Sequence, residues 1–493
     1  MNATVEVRRG GYLDSVALMQ VSRDVAAVPG VRSALVAMAT GLNVDLAEGM
    51  GFAVPAEAGP NDMLVALDAV DSAARAVALD ELEAALRRVS RPPADTGSGA
   101  EAPPSTVAAA ARRLAPDGPG VALVSTPGRY AFTEAVDALD AGLHVMVFSD
   151  NVPLEQEVAL KEYAASVGGG LVMGPDCGTA VLGGVGLGFA NVVRPGPVGV
   201  VAASGTGAQH LMCLLDGAGV GVSHCLGVGG RDLSGAVGGR STLRALDLLA
   251  ADPDTRVIVL VSKPPSAEVA RRVEAHARDL ATPVVLALLG TQEADLTRVA
   301  HRVVDAAGGS WVEPEGSPGA LDHGRPGGML RGLYAGGTLC DEAMLLAAPV
   351  LGEIRSNVPL RPQWALTDPT TSAGHTVLDL GDDRLTTGRP HPMIDQSLRV
   401  ARIRQEVADP DCGVLLLDVV LGHGATADPA GELMPPVEEA VAAGVPVVVS
   451  MVGTRDDPQD RDRQRALLEE AGAAVHASNS AATRAALDLL ARE

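Results

Sequence analysis

The sequence predicts an α/β protein with several domains, and three observations carry this prediction. The chain has 493 residues, more than a single compact core usually holds, since domains span roughly 100–200 residues. Its residues are 47% apolar but only 2% aromatic, with 57 glycines, which favours layers built from Ala, Val and Leu. From about residue 120, short apolar runs alternate with helical segments, as in parallel sheets with crossover helices.

The order of these runs divides the chain into five segments. Residues 1–92 predict a small α+β domain, and the Pro-, Gly-, Ser- and Ala-rich residues 93–117 predict a linker. Residues 118–195 predict a truncated Rossmann-like domain. Residues 196–312 and 325–493 predict two domains of one repeated, flavodoxin-like fold.

The repeat is visible as landmarks that recur in the same order. VVAASGTGAQ matches GLYAGGTLCD, ADPDTRVIVLVSKPP matches ADPDCGVLLLDVVLG, and TPVVLALLGT matches VPVVVSMVGT. Open parallel sheets bind ligands beyond the carboxyl ends of their strands, where the Gly-rich turns of both copies are expected. Two such edges that face each other predict one shared site, although a repeated scaffold without chemistry gives the same pattern.

Charge and cysteine content argue against several classes of function. The formal net charge is −23, and no cluster of Lys and Arg offsets it, so binding of nucleic acid is not expected. No apolar run approaches the ~18 residues of a membrane span, and the first 20 residues do not resemble a signal peptide. We therefore expect a cytoplasmic protein that does not bind membranes. The five cysteines are widely spaced and predict neither disulfides nor a metal site.

Two strand-to-helix turns are the main candidates for binding an anion. Ser204, Gly205 and Thr206 follow a predicted strand and open a helix, and Gly337 and Thr338 do the same in the second copy. Free backbone N–H groups and the positive end of a helix dipole would bind phosphate or carboxylate there. The alternative is an ordinary turn in which Ser or Thr caps the helix.

A second group of candidates lies in neighbouring turns. Gly229 and Gly230 would let the backbone approach a ligand closely, and Arg231 could bind a carboxylate or phosphate with two hydrogen bonds. His423 follows a buried strand at the same predicted edge and is the candidate proton carrier. Cys177 ends another strand there. The alternatives are a solvated Arg231, an ordinary loop histidine and a buried structural thiol.

The run GPDCGTAVLGGVGLGFANVVRPGPVGVVAASGTGAQ resembles the α subunit of succinyl-CoA synthetase, and the second copy resembles the carboxyl-terminal domain of the β subunit. The chain differs from that subunit in lacking its G-H-A-G motif, whose histidine carries phosphate; His301 is a poor substitute. Residues 118–195 resemble only the second half of a CoA-binding domain, so CoA is expected to bind weakly or not at all. The absence of an ATP-grasp domain implies a partner for any ATP-dependent step.

The sequence YLDSVALM, from Tyr12 to Met19, together with this layout resembles the FdrA family. The resemblance implies one subunit of an oxamate carbamoyltransferase in allantoin breakdown, with carbamoyl phosphate as substrate. Arg231 and His423, selected above from their positions in the sequence, are the catalytic candidates, and no metal is expected. It also implies other subunits of a hetero-oligomer, with self-association left open. The alternatives are a subunit of an ADP-forming acyl-CoA ligase and a non-catalytic scaffold subunit.

Overall fold

The structure is a computed structural model. It describes residues 3–9, 13, 15–59, 61–90, 104, 106–114, 120–290, 295–325, 327–386 and 390–491. The chain divides into two compact units, Met1–Pro103 and a second over Pro104–Thr386 and Pro390–Glu493. None of the described helices has both the length and the apolar character needed to cross a membrane.

The first unit packs helices against a three-stranded antiparallel sheet. Its elements are, in chain order, β1 (Ala3–Arg8), α1 (Ser15–Ala26), β2 (Val31–Met38), α2 (Gly41–Gly49), β3 (Met63–Ala69) and α3 (Ser72–Ser90). Strand β3 lies between β1 and β2, and it is almost wholly buried because α1 and α3 cover one face of the sheet and α2 packs on the other. The predicted small α+β domain is confirmed. Tyr12 and Asp14 of the YLDSVALM motif lie outside the described residues.

The second unit begins with a short parallel sheet. Its elements are α4 (Val107–Leu114), β4 (Val121–Val124), α5 (Gly128–Asp140), β5 (His144–Val147), α6 (Leu154–Ser166) and β6 (Val172–Met173). The strands pair in the order β4-β5-β6. Helix α4 lies inside the predicted linker 93–117, because its sequence VAAAARRL consists largely of strong helix formers. The part of that linker from 93 to 103 lies outside the described residues.

A six-stranded sheet follows. Its elements are β7 (Thr179–Leu182), β8 (Val185–Gly188), β9 (Pro195–Ala203), α7 (Gly205–Gly217), β10 (Val222–Gly227), α8 (Arg240–Ala251), β11 (Val257–Ser262), α9 (Ala267–Asp279), β12 (Val284–Leu288) and α10 (Leu296–Ala306). The strand order is β12-β11-β9-β10-β7-β8. The hairpin β7–β8 pairs antiparallel with β10, whereas the predicted boundary at residue 195 left it with the preceding segment.

The last segment forms a second six-stranded sheet. Its elements are β13 (Met329–Tyr334), α11 (Gly337–Leu351), β14 (Ile354–Arg355), a short 3-10 helix (Pro362–Trp364), β15 (His375–Asp379), α12 (Asp383–Thr386), α13 (Ser397–Ala408), β16 (Cys412–Val420), α14 (Pro429–Ala442), β17 (Val447–Val452), α15 (Arg461–Glu470), β18 (Ala474–His476) and α16 (Asn479–Ala491). All of its strand pairs are parallel, in the order β14-β15-β13-β16-β17-β18.

The two six-stranded sheets contain the same four-strand arrangement. Strands β12-β11-β9-β10 of the first correspond to β17-β16-β13-β15 of the second, in the same order and all parallel. In both sheets, the first strand of the repeat is central and leads directly into a helix, α7 or α11. The landmarks seen in the sequence therefore correspond to equivalent strands, and the predicted α/β fold with a small N-terminal domain is confirmed.

A buried carboxyl group joins helices from both repeats. Glu342 of α11 has no solvent-exposed surface, and its Oε1 accepts a hydrogen bond of 2.6 Å from the N–H of Leu296, where α10 begins. Its Oε2 accepts another of 2.7 Å from the side-chain amide of Asn479, where α16 begins. Burial raises the pKa of Glu342 to about 8, although both hydrogen bonds act in the opposite direction.

This carboxyl group predicts a pH dependence of stability. The folded chain keeps a proton on Glu342 that the unfolded chain loses near the ordinary pKa of 4.5, so its contribution is fully present below that value and is lost as pH rises through about 8. One such group changes the free energy of unfolding by at most about 1.4 kcal/mol per pH unit. Urea unfolding of the wild-type chain and of Glu342→Gln, at several pH values from 5 to 8, measures the effect.

The glutamine variant is the control because it cannot titrate. It should be less stable throughout, since its amide NH₂ replaces one of the two acceptor oxygens and faces a hydrogen-bond donor, and only the slopes against pH are compared. We expect the wild-type chain to lose more stability with rising pH than the variant does. Equal slopes would show that Glu342 is already ionised in the folded chain at low pH.

Candidate functional site

The first helix start lies at the carboxyl end of the central strand β9. Ser204 has an extended backbone and caps α7, since its Oγ accepts a hydrogen bond of 3.0 Å from the N–H of Gly207. Gly205 is exposed, and the nearest atom to a Cβ built on it is the hydroxyl oxygen of Thr179 at 3.4 Å. The first turn of α7 is therefore open to a ligand at Gly205.

The second helix start lies at the end of β13 and meets the first. The hydroxyl oxygens of Ser204 and Thr338 are 2.5 Å apart and share a hydrogen bond. A Cβ on Gly207 would lie 2.9 Å from the methyl group of Thr338, and a Cβ on Gly336 would lie 2.7 Å from the hydroxyl oxygen of Thr206. The glycines therefore allow the two turns to approach this closely, and the structure brings the two predicted Gly-Thr turns together.

The contact concentrates positive potential between the helices. Helices α7 and α11 have 13 and 15 residues, and each N-terminus carries roughly half a positive elementary charge. In α11, Gly336 occupies the capping position and offers no side chain that could accept hydrogen bonds from the first N–H groups. The arrangement is suited to an anion that contacts both helix starts.

A lysine that the sequence analysis did not single out lies at this junction. Lys263 follows directly after β11, and its ammonium nitrogen is 3.8 Å from Oδ2 of Asp341 in α11. A Cβ built on Gly337 would lie 2.7 Å from that nitrogen and would overlap the carboxylate of Asp379, which ends β15. The side chain of Lys263 is 39% exposed.

Lys263, Asp341 and Asp379 form a charged cluster and shift one another's pKa. Burial raises the pKa of Asp379 to about 7 and that of Asp341 to about 6, and in both cases Lys263 acts in the opposite direction. Burial lowers the pKa of Lys263, but the negative groups around it, Asp341 and Asp379 foremost, together raise it, so the pKa lies above the ordinary value. At neutral pH the lysine is therefore charged.

The turn that contains Cys177 packs beneath the site. Cys177 is 2% exposed, and its thiol donates a long hydrogen bond of 3.5 Å to the carbonyl oxygen of Thr179. Burial raises the pKa of this thiol to about 12, so it is not a thiolate at neutral pH. Gly229 has φ of +87°, and a Cβ there would lie 2.5 Å from the carbonyl oxygen of Pro175. The structure thus gives Cys177 and Gly229 the surroundings of packing residues.

Arg231 lies at an ion-pair network that fastens α6 to the first six-stranded sheet. Its Nε is 2.9 Å from Oε2 of the buried Glu157, and its guanidinium donates to the carbonyl oxygen of Val152 at 2.8 Å. Lys161 bonds Glu157 and Asp232, both at 2.8 Å. The neighbouring Gly230 is exposed with nothing near its Cβ position. These contacts give Arg231 a structural task and leave its catalytic role a prediction.

The predicted histidine does not have the environment of a buried proton carrier. His423 is exposed, and its backbone forms a bridge with Ala190, with an N–H···O bond of 2.8 Å from His423. His391 lies near Asp379: its Nε2 would be 2.5 Å from a Cβ on Gly381, whose N–H donates a hydrogen bond to Asp379. Burial lowers the pKa of His391 to about 4, so it is neutral at physiological pH.

Two protein-family profiles match the chain. One is described as "CoA-ligase" and matches residues 333–489, which run from β13 into α16. The other is described as "AllF, heavy metal-associated domain" and matches residues 1–103. Residues 1–103 contain neither Cys nor His, the ligands that soft metals prefer, and among the described residues no three His, Cys, Asp or Glu side chains are placed to hold a metal. Residues 1–103 therefore offer no thiolate or imidazole ligand for a metal.

Subunits of known CoA ligases are similar to this chain over nearly 200 residues. The subunit SauD of an ADP-forming sulfoacetate-CoA ligase from Bilophila wadsworthia is 29% identical over 38% of this chain and 66% of its own length. The α subunit of an ADP-forming succinate–CoA ligase from Aquifex aeolicus is 25% identical over 39% of this chain and 63% of its own. The chain thus spans about two thirds of these ligase subunits.

Two further similarities complete the comparison. A solved structure of the dinucleotide-forming acetyl-coenzyme A synthetase 1 of Ca. Korarchaeum cryptofilum, with phosphate and ADP, covers 81% of this chain and 87% of its own at 18% identity, with a TM-score of 0.31. The uncharacterized protein YahF of Escherichia coli K12 is 36% identical over 100% of this chain and 98% of its own length. The chain therefore belongs to the family of YahF, and its residues 333–489 match the CoA-ligase profile.

Proposed function

We propose that this chain is a subunit of a CoA-ligase-type enzyme and that it holds the phosphoryl group of an acyl phosphate between the starts of α7 and α11. The observation that carries the proposal is the hydrogen bond between Ser204 and Thr338, which joins the helix starts of the two repeats. Lys263 adds a positive charge beside Gly337. Two helix N-termini and a cation suit a dianion better than a neutral ligand.

The phosphoryl group would be handled without a histidine relay. The sequence lacks the G-H-A-G motif, and His301 lies on the surface of α10, where its ring stacks on Trp311 with centroids 4.9 Å apart. An acyl phosphate is already activated, so a helix-bound phosphoryl group can leave directly when an acceptor attacks the acyl carbon. Catalysis would then rest on positioning and on stabilising the charge of the departing phosphate.

The proposal has two forms, which differ in the molecule that accepts the acyl group. The ligase relatives favour an acid–thiol ligase, in which a thiol attacks, over the carbamoyl transfer that the FdrA resemblance implied. Carbamoyl phosphate is also a mixed anhydride of phosphate, so the same helix starts would hold it. A partner subunit would supply the nucleotide-dependent step, as the subunit names of the relatives suggest.

Titration of the purified chain with inorganic phosphate, acetyl phosphate and carbamoyl phosphate tests the proposal. We expect inorganic phosphate and acetyl phosphate to compete for one site in calorimetry. Thr206→Ala should weaken binding by about 0.5–1.5 kcal/mol through loss of one hydroxyl hydrogen bond. No acid-labile phosphate should appear on histidine after incubation with labelled acetyl phosphate. A folded chain that binds none of these anions would refute the proposal.

Product analysis then identifies the acceptor. The chain is incubated with acetyl phosphate or carbamoyl phosphate, together with CoA or with a small amide such as oxamate, and with its partner subunits once these are identified. Formation of a thioester supports the ligase. Transfer of the carbamoyl group to the amide, without a thioester, would favour the carbamoyltransferase instead.

A further inference from the structure

Lys263 is unusual in this sequence as well as in its position. The chain has 38 basic Lys and Arg residues, and only Lys161 and Lys263 are lysines. Lys161 is 1% exposed and bonded to two carboxylates, whereas Lys263 is 39% exposed. An ammonium group is a compact point charge that can change partners, whereas a guanidinium is a rigid planar fork. Lys263 is therefore much the more exposed of the two lysines.

The backbone around Lys263 fixes where this charge can go. Lys263 follows the buried strand β11 and precedes Pro264 and Pro265. A residue before proline is held in an extended conformation, and proline itself has a fixed φ. Leu289 of the neighbouring segment also donates its N–H to the carbonyl oxygen of Ser262. The backbone of Lys263 is thus restrained, and its movement is confined to the side chain, whose ammonium nitrogen lies beside Gly337.

Two carboxylates lie next to this ammonium. Asp341 is 3.8 Å from it, and the carboxylate of Asp379 adjoins it at the Cβ position of Gly337. The negative charge of Asp176, in the turn after β6, also raises its pKa. The distance of 3.8 Å between the ammonium and Asp341 is longer than the charge-assisted hydrogen bond of a close buried ion pair. An anion at the start of α11 would offer it a closer partner.

We propose that Lys263 binds a phosphoryl oxygen of the substrate, and that Asp341 keeps its ammonium beside the start of α11 until the anion arrives. This inference rests on the proposed function, since it names the side chain that recognises the phosphoryl group. Lys263 moves by side-chain rotation from Asp341 to the anion, and the helix starts hold the remaining oxygens. Asp341 is a positioning residue that competes with the ligand.

Three substitutions separate these roles. Lys263→Met removes the charge with similar length and should weaken phosphate binding at least about tenfold. Lys263→Arg keeps the charge and should restore part of that loss. Asp341→Asn removes the competitor, so phosphate should bind several-fold more tightly, roughly threefold or more. Damage to the fold would weaken phosphate binding in every variant, so it cannot account for tighter binding by Asp341→Asn.

The rate at which Lys263 reacts with an amine-labelling reagent reports its accessibility in the wild-type chain. An acylating reagent at fixed pH should modify Lys263 and the α-amino group of the folded chain, while the buried Lys161 is modified only on unfolding. Inorganic phosphate and acetyl phosphate should slow the modification of Lys263 several-fold, roughly threefold or more, and leave the α-amino group unaffected. Peptide mass spectrometry measures both rates in one sample.

The outcomes distinguish failure of this inference from failure of the proposed function. If the wild-type chain binds phosphate, but Lys263→Met binds it equally well and labelling is not slowed, Lys263 has no such role while the helix-start site stands. If the wild-type chain binds no phosphate and Lys263 is not protected, both fall. Weaker binding in Lys263→Met, tighter binding in Asp341→Asn and protected labelling together support the inference.

Discussion

Replacing Gly337 with alanine should abolish the binding of phosphate and acyl phosphates while leaving the chain folded. A Cβ at this position would overlap the carboxylate of Asp379 and lie 2.7 Å from the ammonium nitrogen of Lys263. Both are side-chain ends that can move aside, so the fold survives. The displaced groups would occupy the space of the anion, and we expect a loss in affinity of about 100-fold or more, or ~3 kcal/mol.

A glycine in the other helix provides the matched control. Gly217 is the last residue of α7, is exposed, and has no atom within 4 Å of its Cβ position. Gly217→Ala replaces glycine by a better helix former, which changes stability by up to about 1 kcal/mol in the favourable direction. Gly217→Ala should therefore retain full phosphate affinity. Calorimetry and melting temperature on both variants decide the matter, and normal phosphate affinity in a folded Gly337→Ala chain would refute the site.

Replacing Asp418 with alanine should destabilise the chain by about 3–5 kcal/mol, because it leaves a buried charge without its partner. Asp418 of β16 is fully buried, and its carboxylate accepts hydrogen bonds from the N–H groups of Ala335 and Gly336 at 2.8 and 2.9 Å. It also pairs with the buried Arg399 at 3.2 Å. The substitution therefore removes the support of the chain segment that leads into α11.

The partner substitution tests this explanation. Arg399→Met should cost less than Asp418→Ala, because burial already raises the pKa of Asp418 and a carboxyl group can take up a proton, whereas arginine stays charged. The double variant should be more stable than the sum of the two single losses predicts. Urea unfolding measures all three. Strictly additive losses, or a cost below about 1 kcal/mol for Asp418→Ala, would show that the pair is not the cause.

The sequence predicted those parts of the site that depend on the repeat. A turn rich in Gly, Ser and Thr after an apolar run is a local pattern, so Ser204, Thr206 and Thr338 could be selected from the order of residues alone. Their mutual contact followed from the expectation that two copies of a sheet face each other. The anion that they would bind stays a prediction.

Lys263 and Asp379 were not selected as site residues, because each is a single charged residue at the end of a buried strand. Lys263 lies in a segment that the sequence analysis had aligned, and it is one of only two lysines in the chain. The carboxyl-edge rule that selected the Gly-Thr turns also applies to them. A search for charged residues directly after each predicted parallel strand would have found both.

The surroundings of Arg231 and Cys177 could not be predicted from the sequence. Their turns were correctly identified, but sequence patterns do not reveal which polar side chains face a neighbouring domain. Glu157, the carboxylate partner of Arg231, lies on α6, 74 residues earlier, and the low exposure of Cys177 depends on packing against Gly227. Burial and distant pairing of this kind follow from tertiary contacts and cannot be inferred from local spacing.

The contact between Ser204 and Thr338 has a consequence for assembly. The two helix starts belong to one polypeptide, and each comes from a different repeat. A covalent connection replaces a bimolecular encounter by an effective concentration that is commonly in the millimolar range for flexible tethers. Dilution therefore cannot separate the two halves of the junction, and phosphate affinity per chain should be the same at nanomolar and micromolar protein concentrations.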